Sequence, residues 1–226
     1  MSLVHRARNP LSQQLLMTDF EIRESLHRTI LRRHHAAPET LVIDELGLRH
    51  GSCRADIAVV NGRLVGYEIK SDRDSLARLR RQIRVYDAVF DSVTIVVGLR
   101  HRSVISRRVP RHWGIVLASA GKRGEIKFQT KRRPRANPRV DLLSVAQLLW
   151  KPEALIMVRE LRPPAQIARL RRSELYRYLV KNVASSKLRQ GVRCCLRTRS
   201  NWPGRKQSFQ CDDSFPPNAK LLGCPG

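Results

Sequence analysis

A chain of 226 residues can fill one domain and carry an appendage, and its formal net charge of +25 points toward polyanionic partners. Five cysteines, an odd number without CxxC spacing, argue against a disulfide scaffold and for a reducing compartment. No apolar run reaches membrane length and the arginine-dotted start lacks a signal-peptide core, so a cytoplasmic protein is expected.

The charge is unevenly spread. From Met17 to Leu99, twelve Asp and Glu stand against thirteen Lys and Arg. From Arg100 to Arg139 thirteen cations face Glu125 alone, and from Arg162 to Lys206 thirteen face Glu174 alone. Such segments attract nucleic acid, DNA above all. The plain alternative is a genome bias toward arginine, since arginines far outnumber lysines. Cys194, Cys195, Cys211 and Cys224 include neither a histidine nor the spacing that a zinc site needs.

Met1 to Leu16 reads as a tail, and organised sequence begins at Met17, which stands as an alternative start. Thr18-Asp19-Phe20-Glu21 is a capping box, and Ile22, Leu26 and Ile30 make one stripe of a helix running to about His35. Pro38 breaks it. Leu41-Val42-Ile43 then opens a strand that carries Asp44 and Glu45. Gly47 and Gly51 mark a turn into Arg54–Val60, and Asn61-Gly62 a hairpin turn into Arg63–Lys70, giving a three-stranded antiparallel meander. Ser71 to Asp74 is expected to cap a second helix with Leu76, Leu79, Ile83, Tyr86 and Phe90 on its apolar face. Val93–Val97, Trp113–Ala118 and Glu125–Gln129 read as strands, the last at an edge. Val140–Trp150, Glu153–Leu161 and Arg171–Leu188 read as helices, and Gly191–Gly226 as a segment with little regular structure. The fold class expected is α/β, a mixed central sheet flanked by helices.

One hairpin stands out chemically. Side chains alternate along a strand, so Glu68 and Lys70 share a face while Ile69 points to the other. Asp56 lies on the neighbouring strand, and buried charges are costly unless they pair or hold a metal. Asp56 and Glu68, with the Ile69 carbonyl, could supply oxygens to a hard divalent cation such as Mg²⁺, with Mn²⁺ as substitute. Glu45 is expected on the same face, near enough to share an ion or its water shell. Lys70 would sit beside an attacking water. The alternative is a structural Asp/Glu–Lys ion network on a half-exposed sheet.

Asp56, a hairpin and Glu68-Ile69-Lys70 resemble the signature of the PD-(D/E)XK nuclease superfamily, in a bacterial branch without an assigned biological role. Gln82 and Tyr86 are similar to a Gln-x-x-x-Tyr motif of its exonuclease-like members, although Ala55 stands where the signature has proline. The resemblance implies a restriction-endonuclease-like core and Mg²⁺-dependent hydrolysis of DNA. Asp56, Glu68, Ile69 and Glu45 would then hold metal, Lys70 would assist the water, and Gln82 with Tyr86 would orient the site. It divides the chain into a tail (1–16), a nuclease-like domain (17–130), a basic linker (131–139), a helical appendage (140–190) and a basic, proline-containing tail (191–226). A nuclease-fold binding module without cleavage is the alternative, a basic RNA-associated protein a third reading. A homo-oligomer is compatible with the sequence, which does not decide it.

Overall fold

The computed structural model describes residues 17–161, 167, 169–199 and 202. Six strands form one mixed sheet in sequential order: β1 (Leu41–Leu48), β2 (Cys53–Asn61), β3 (Arg63–Lys70), β4 (Ser92–Gly98), β5 (Gly114–Ala120) and β6 (Ile126–Arg132). The first three form the antiparallel meander, with Asn61-Gly62 at its second turn. β3, β4 and β5 run parallel, and β6 returns antiparallel at the edge. Parallel neighbours need crossovers, which α3 (Leu79–Val89) and the short α4 (Ile105–Arg108) supply. β4 is buried along its whole length because apolar layers cover both faces of the sheet.

On one face lies α1 (Asp19–Arg28), whose Ile22 and Leu26 join Leu31, Ile57, Val59, Tyr67, Ile69 and Val96 in an apolar cluster. Thr18 and Glu21 form the expected capping box, with the Thr18 amide 2.7 Å from the Glu21 carboxylate. The helix stops short of His35. Thr29 turns its hydroxyl back onto the Ser25 carbonyl, and the chain resumes as α2 (Arg32–Ala36). His35 there pairs with His27, which in turn meets Asp44 at 3.0 Å.

The opposite face carries α3, α5 (Leu142–Ala146), α6 (Lys151–Arg159), α7 (Arg172–Asn182) and α8 (Ser185–Thr198). Their Tyr86, Val145, Met157, Leu179, Leu188 and Leu196 share one cluster with the sheet residues Ile43, Ala58, Val93 and Ile95. No helix among the described residues is long and apolar enough to cross a membrane.

Three further expectations need correction. Ser71 to Asp74 does not cap the second helix. The Ser71 amide and hydroxyl both donate to the Asp74 carboxylate, closing a turn, and α3 starts only at Leu79. The stretch 131–139 begins as strand, since Lys131 and Arg132 complete β6, and it is then stitched down. The Arg135 amide donates to the His112 carbonyl and the Asn137 amide to the Asp91 carbonyl. Finally, helix continues beyond residue 191. Arg171–Leu188 breaks near Val183 into α7 and α8, and α8 runs on to Thr198 because Leu188, Val192, Cys195 and Leu196 bury one face. The segments 1–16 and 203–226, with Cys211 and Cys224, lie outside the described residues.

The end of α8 is anchored by a buried ion pair. The Arg199 guanidinium meets both carboxylate oxygens of Glu153 at 2.7 and 2.6 Å and donates to the Leu148 carbonyl. The rings of Trp150 and Trp202 lie 4.3 and 5.4 Å from its centre. Both charges are almost fully buried. Removing one leaves the other uncompensated, which costs about 3–5 kcal/mol. Arg199→Ala is therefore expected to lower unfolding free energy by roughly that amount in urea titration. A wild-type midpoint would show that the pair does not anchor the helix.

Candidate functional site

The site forms where β2 and β3 part. Their ladder ends at Ile57 opposite Tyr67, and beyond it β3 pairs only with β4. The β1–β2 ladder also skips one step, pairing Asp44 with Ile57 and Leu46 with Ala55 but not Glu45 with Asp56. Glu45 takes a φ of 57°, unusual for a side chain with a Cβ. Leu41, Ile43, Leu46 and Leu48 consequently all reach the same apolar cluster, although alternation would place the later pair on the other face. Two backbone amides are left without ladder partners, and side chains serve them. The Ile69 amide donates to Asp56 Oδ2 at 2.6 Å, and the Asp56 amide donates to Tyr86 Oη at 3.3 Å.

Glu68 is the centre. It is fully buried on the face toward α3, where Lys70 and Gln82 donate to Oε1 and the Tyr86 hydroxyl to Oε2. α3 supplies Gln82 and Tyr86 one turn apart, and Tyr86 stacks obliquely against Phe90 and Trp113 at 5.2 and 5.7 Å. Burial first, then the fields of Glu68 and Asp56, hold the Tyr86 phenol well above its ordinary pKa, so it remains a donor. Burial and the neighbouring Glu68 charge push Asp56 up to about 8, against the opposing effects of the Ile69 amide and Lys70.

Arg23 of α1 completes the group. Its Nη2 lies 2.7 Å from Glu45, 3.2 Å from Asp19 and 3.8 Å from Asp56. Burial opposes its charge, but the Glu45 hydrogen bond and the three carboxylates outweigh burial and raise its pKa. Glu45 and Asp56 therefore flank the Arg23 guanidinium, which forms no ion pair with Glu68 among the described residues. Glu68 is engaged by other donors. The residues expected to hold Mg²⁺ do not fit it as arranged. Asp56 Oδ2 and both Glu68 oxygens already accept hydrogen bonds, and among the described residues no three of His, Cys, Asp and Glu form a metal-holding group.

Asp56, Glu68, Lys70, Gln82 and Tyr86 are thus brought together as the sequence suggested, with Glu45 tied in through Arg23. Sequence reasoning missed Arg23, although its i,i+4 relation to Asp19 beside the Ile22–Leu26 stripe was a usable signal. It counted the arginines of α8 as basic charge but missed their alignment on one helix. Arg189, Arg193 and Arg197 recur every fourth residue, but α8 was split between a helix and a tail.

The family model of bacteriophage P4 protein cII matches residues 16–209. The chain belongs to the bacteriophage P4 cII family. Protein cII of Enterobacteria phage P4 is 30% identical over 138 residues, covering 61% of this chain and 52% of the relative. The chain thus spans about half the length of the curated relative it matches. No solved structure matches. Membership in the P4 cII family overturns the assignment to the PD-(D/E)XK nucleases and, with it, the reading as a Mg²⁺-dependent deoxyribonuclease or a silent nuclease module. An acid-x-lysine triplet beside an acidic strand is too common to carry that assignment. In this cII-family chain Arg23 lies beside Asp56 and Lys70 beside Glu68.

Two outcomes follow for the cII-family fold. Glu68→Ala strips Lys70, Gln82 and Tyr86 of their shared acceptor and is expected to cost about 3–5 kcal/mol in urea unfolding. An unchanged midpoint would remove the structural role. The second concerns pH. In the folded chain Asp56 stays protonated to about 8, whereas the unfolded carboxyl ionises near its ordinary value of 3.8. The unfolded state therefore binds fewer protons in between. The Asp56 contribution is full below the lower value and fades as pH rises to about 8. Asp56→Asn should flatten that decline in denaturation midpoints measured across the same range. Parallel profiles for the two proteins would contradict it.

Proposed function

We propose that this cII-family chain is a cytoplasmic nucleic-acid-binding protein that grips duplex DNA by its phosphates. The observation that carries the reading is the segregation of charge. Glu68, Asp87 and Glu153 are buried on internal partners, and Asp91 is tied to Leu64 and Arg189. Arg102, Arg107, Arg108 and Arg111 are exposed in the β4–β5 connection, and Lys131, Arg133 and Arg135 at the end of β6. Across that whole region the single acid, Glu125, is already paired with Lys127 at 3.2 Å. A genome bias explains many arginines. It does not explain an exposed basic stretch from residue 100 to 139 whose single acid is already paired. The restriction-endonuclease-like order of helix, meander, helix and strand belongs to the proposal as architecture alone, with no cleavage attached.

Phosphate contacts release condensed counterions, so affinity for duplex DNA should fall with salt by about 0.9 log units per contact per decade. Fluorescence anisotropy of a labelled duplex across a salt series measures the slope. Replacing Lys131, Arg133 and Arg135 together by alanine is expected to make it shallower while the fold persists, since all three are exposed. Undetectable or salt-independent binding would overturn the proposal. Stronger binding to an RNA hairpin of equal charge would transfer it to RNA.

A further inference from the structure

A second basic feature lies away from the strand edge, on the face that carries α8. Arg189, Arg193 and Arg197 occupy successive turns of one side of that helix. The outer two are committed: Arg189 to Asp91, and Arg197 to the Glu39 carboxylate at 2.7 Å. Arg193, between them and half-buried, has no hydrogen-bonded or ion-paired acid among the described residues. Burial works against its charge, and the Arg189 and Arg197 charges add to the penalty. A guanidinium stays protonated in proteins, so this cation cannot relieve the cost by losing its proton.

Arg193 opens into a cleft of about 390 Å³ between the β2–β3 turn, the 136–137 stretch and the start of α8. Arg63, Arg189 and Arg193 bring three guanidinium-bearing side chains to it, and Ser186 adds a hydroxyl. Among the described lining residues the one acid, Asp91, is already spent on the Leu64 amide at 2.7 Å and on Arg189, so it fixes Arg189 in place. Asn137 is a brace: its amide group donates to the Asp87 and Phe90 carbonyls, and its oxygen accepts the Arg139 amide. No side chain caps the N-terminus of α8, so its first-turn amides add positive potential beside Ser186.

We propose that this cleft binds a phosphate group, contributed by the backbone of the nucleic acid that the chain grips. The inference rests on the binding function proposed above and assigns one of its contacts. Guanidinium pairs match phosphate oxygens in planar, charge-assisted geometry, and an anion seated here would neutralise the unpaired Arg193. The volume exceeds that of a bare oxyanion and leaves room for the adjoining sugar.

The test uses the full chain and its variants Arg193→Ala and Arg63→Ala, with circular dichroism as the check of folding. Arg63 is exposed next to a turn, so its loss leaves the core untouched. Each variant should weaken binding of a labelled duplex and lower the salt slope by about 0.9, one phosphate contact. Inorganic phosphate should raise the melting temperature of the wild type and raise it less in either variant. If the wild type binds DNA with a steep slope and both variants match it, with equal phosphate shifts, the cleft assignment is overturned and the function proposal survives. If no DNA binds but phosphate still stabilises the wild type selectively, the phosphate site stands and the nucleic-acid source falls.

Discussion

The parting of β2 from β3 at Asp56 is the constraint on which the centre of the molecule depends. A ladder that stops inside a buried sheet leaves amides that must find acceptors, because an unpaired buried amide costs as much as a lost hydrogen bond. Here the Ile69 amide takes the Asp56 carboxylate and the Asp56 amide takes the Tyr86 hydroxyl. Each repair pulls in another polar group. Tyr86 brings Glu68, Glu68 brings Lys70 and Gln82, and Asp56 brings Arg23 with Glu45 and Asp19. The cluster spans α1, β1, β2, β3 and α3, so it ties helices on opposite faces to one point of the sheet.

That arrangement fixes orientation more than it adds net stability. Buried ion pairs regain in attraction roughly what they lose in hydration, but breaking one is expensive. The anchoring of α8 by Arg199 and Glu153 follows the same logic at the far end of the helical layer. Between the two clusters the packing is apolar, from Tyr86 and Trp113 through Val145 and Met157 to Leu179 and Leu196. Polar clusters set the register of the layers, and apolar contacts fill the space between them.

The legible parts of the sequence were those with local signals. The Thr18–Glu21 box, the Asn61-Gly62 turn and the alternation that sets Glu68 and Lys70 against Ile69 all follow from residues a few positions apart. The convergence of Asp56, Glu68, Lys70, Gln82 and Tyr86 was legible too, because a hairpin and a helical i,i+4 pair place them. What sequence could not show was occupancy. Whether two acids hold a metal or a guanidinium depends on Arg23, which comes from a helix outside the hairpin. Nor could alternation reveal the positive φ of Glu45, since the skipped ladder step is a property of two paired strands. The continuation of α8 was hidden by its own arginines, which dilute the apolar stripe of Leu188, Val192 and Leu196.

The same arithmetic of charges separates structure from function in this chain. An acid with a buried cationic partner is explained by the fold, and Glu68 and Glu153 each have one. A cation whose neighbours are cations is not. Arg193 sits half-buried between Arg189 and Arg197 in a cleft where, among the described residues, the one acid is already engaged. The buried acids therefore speak for architecture, and Arg193 is the feature that the proposed phosphate contact would explain.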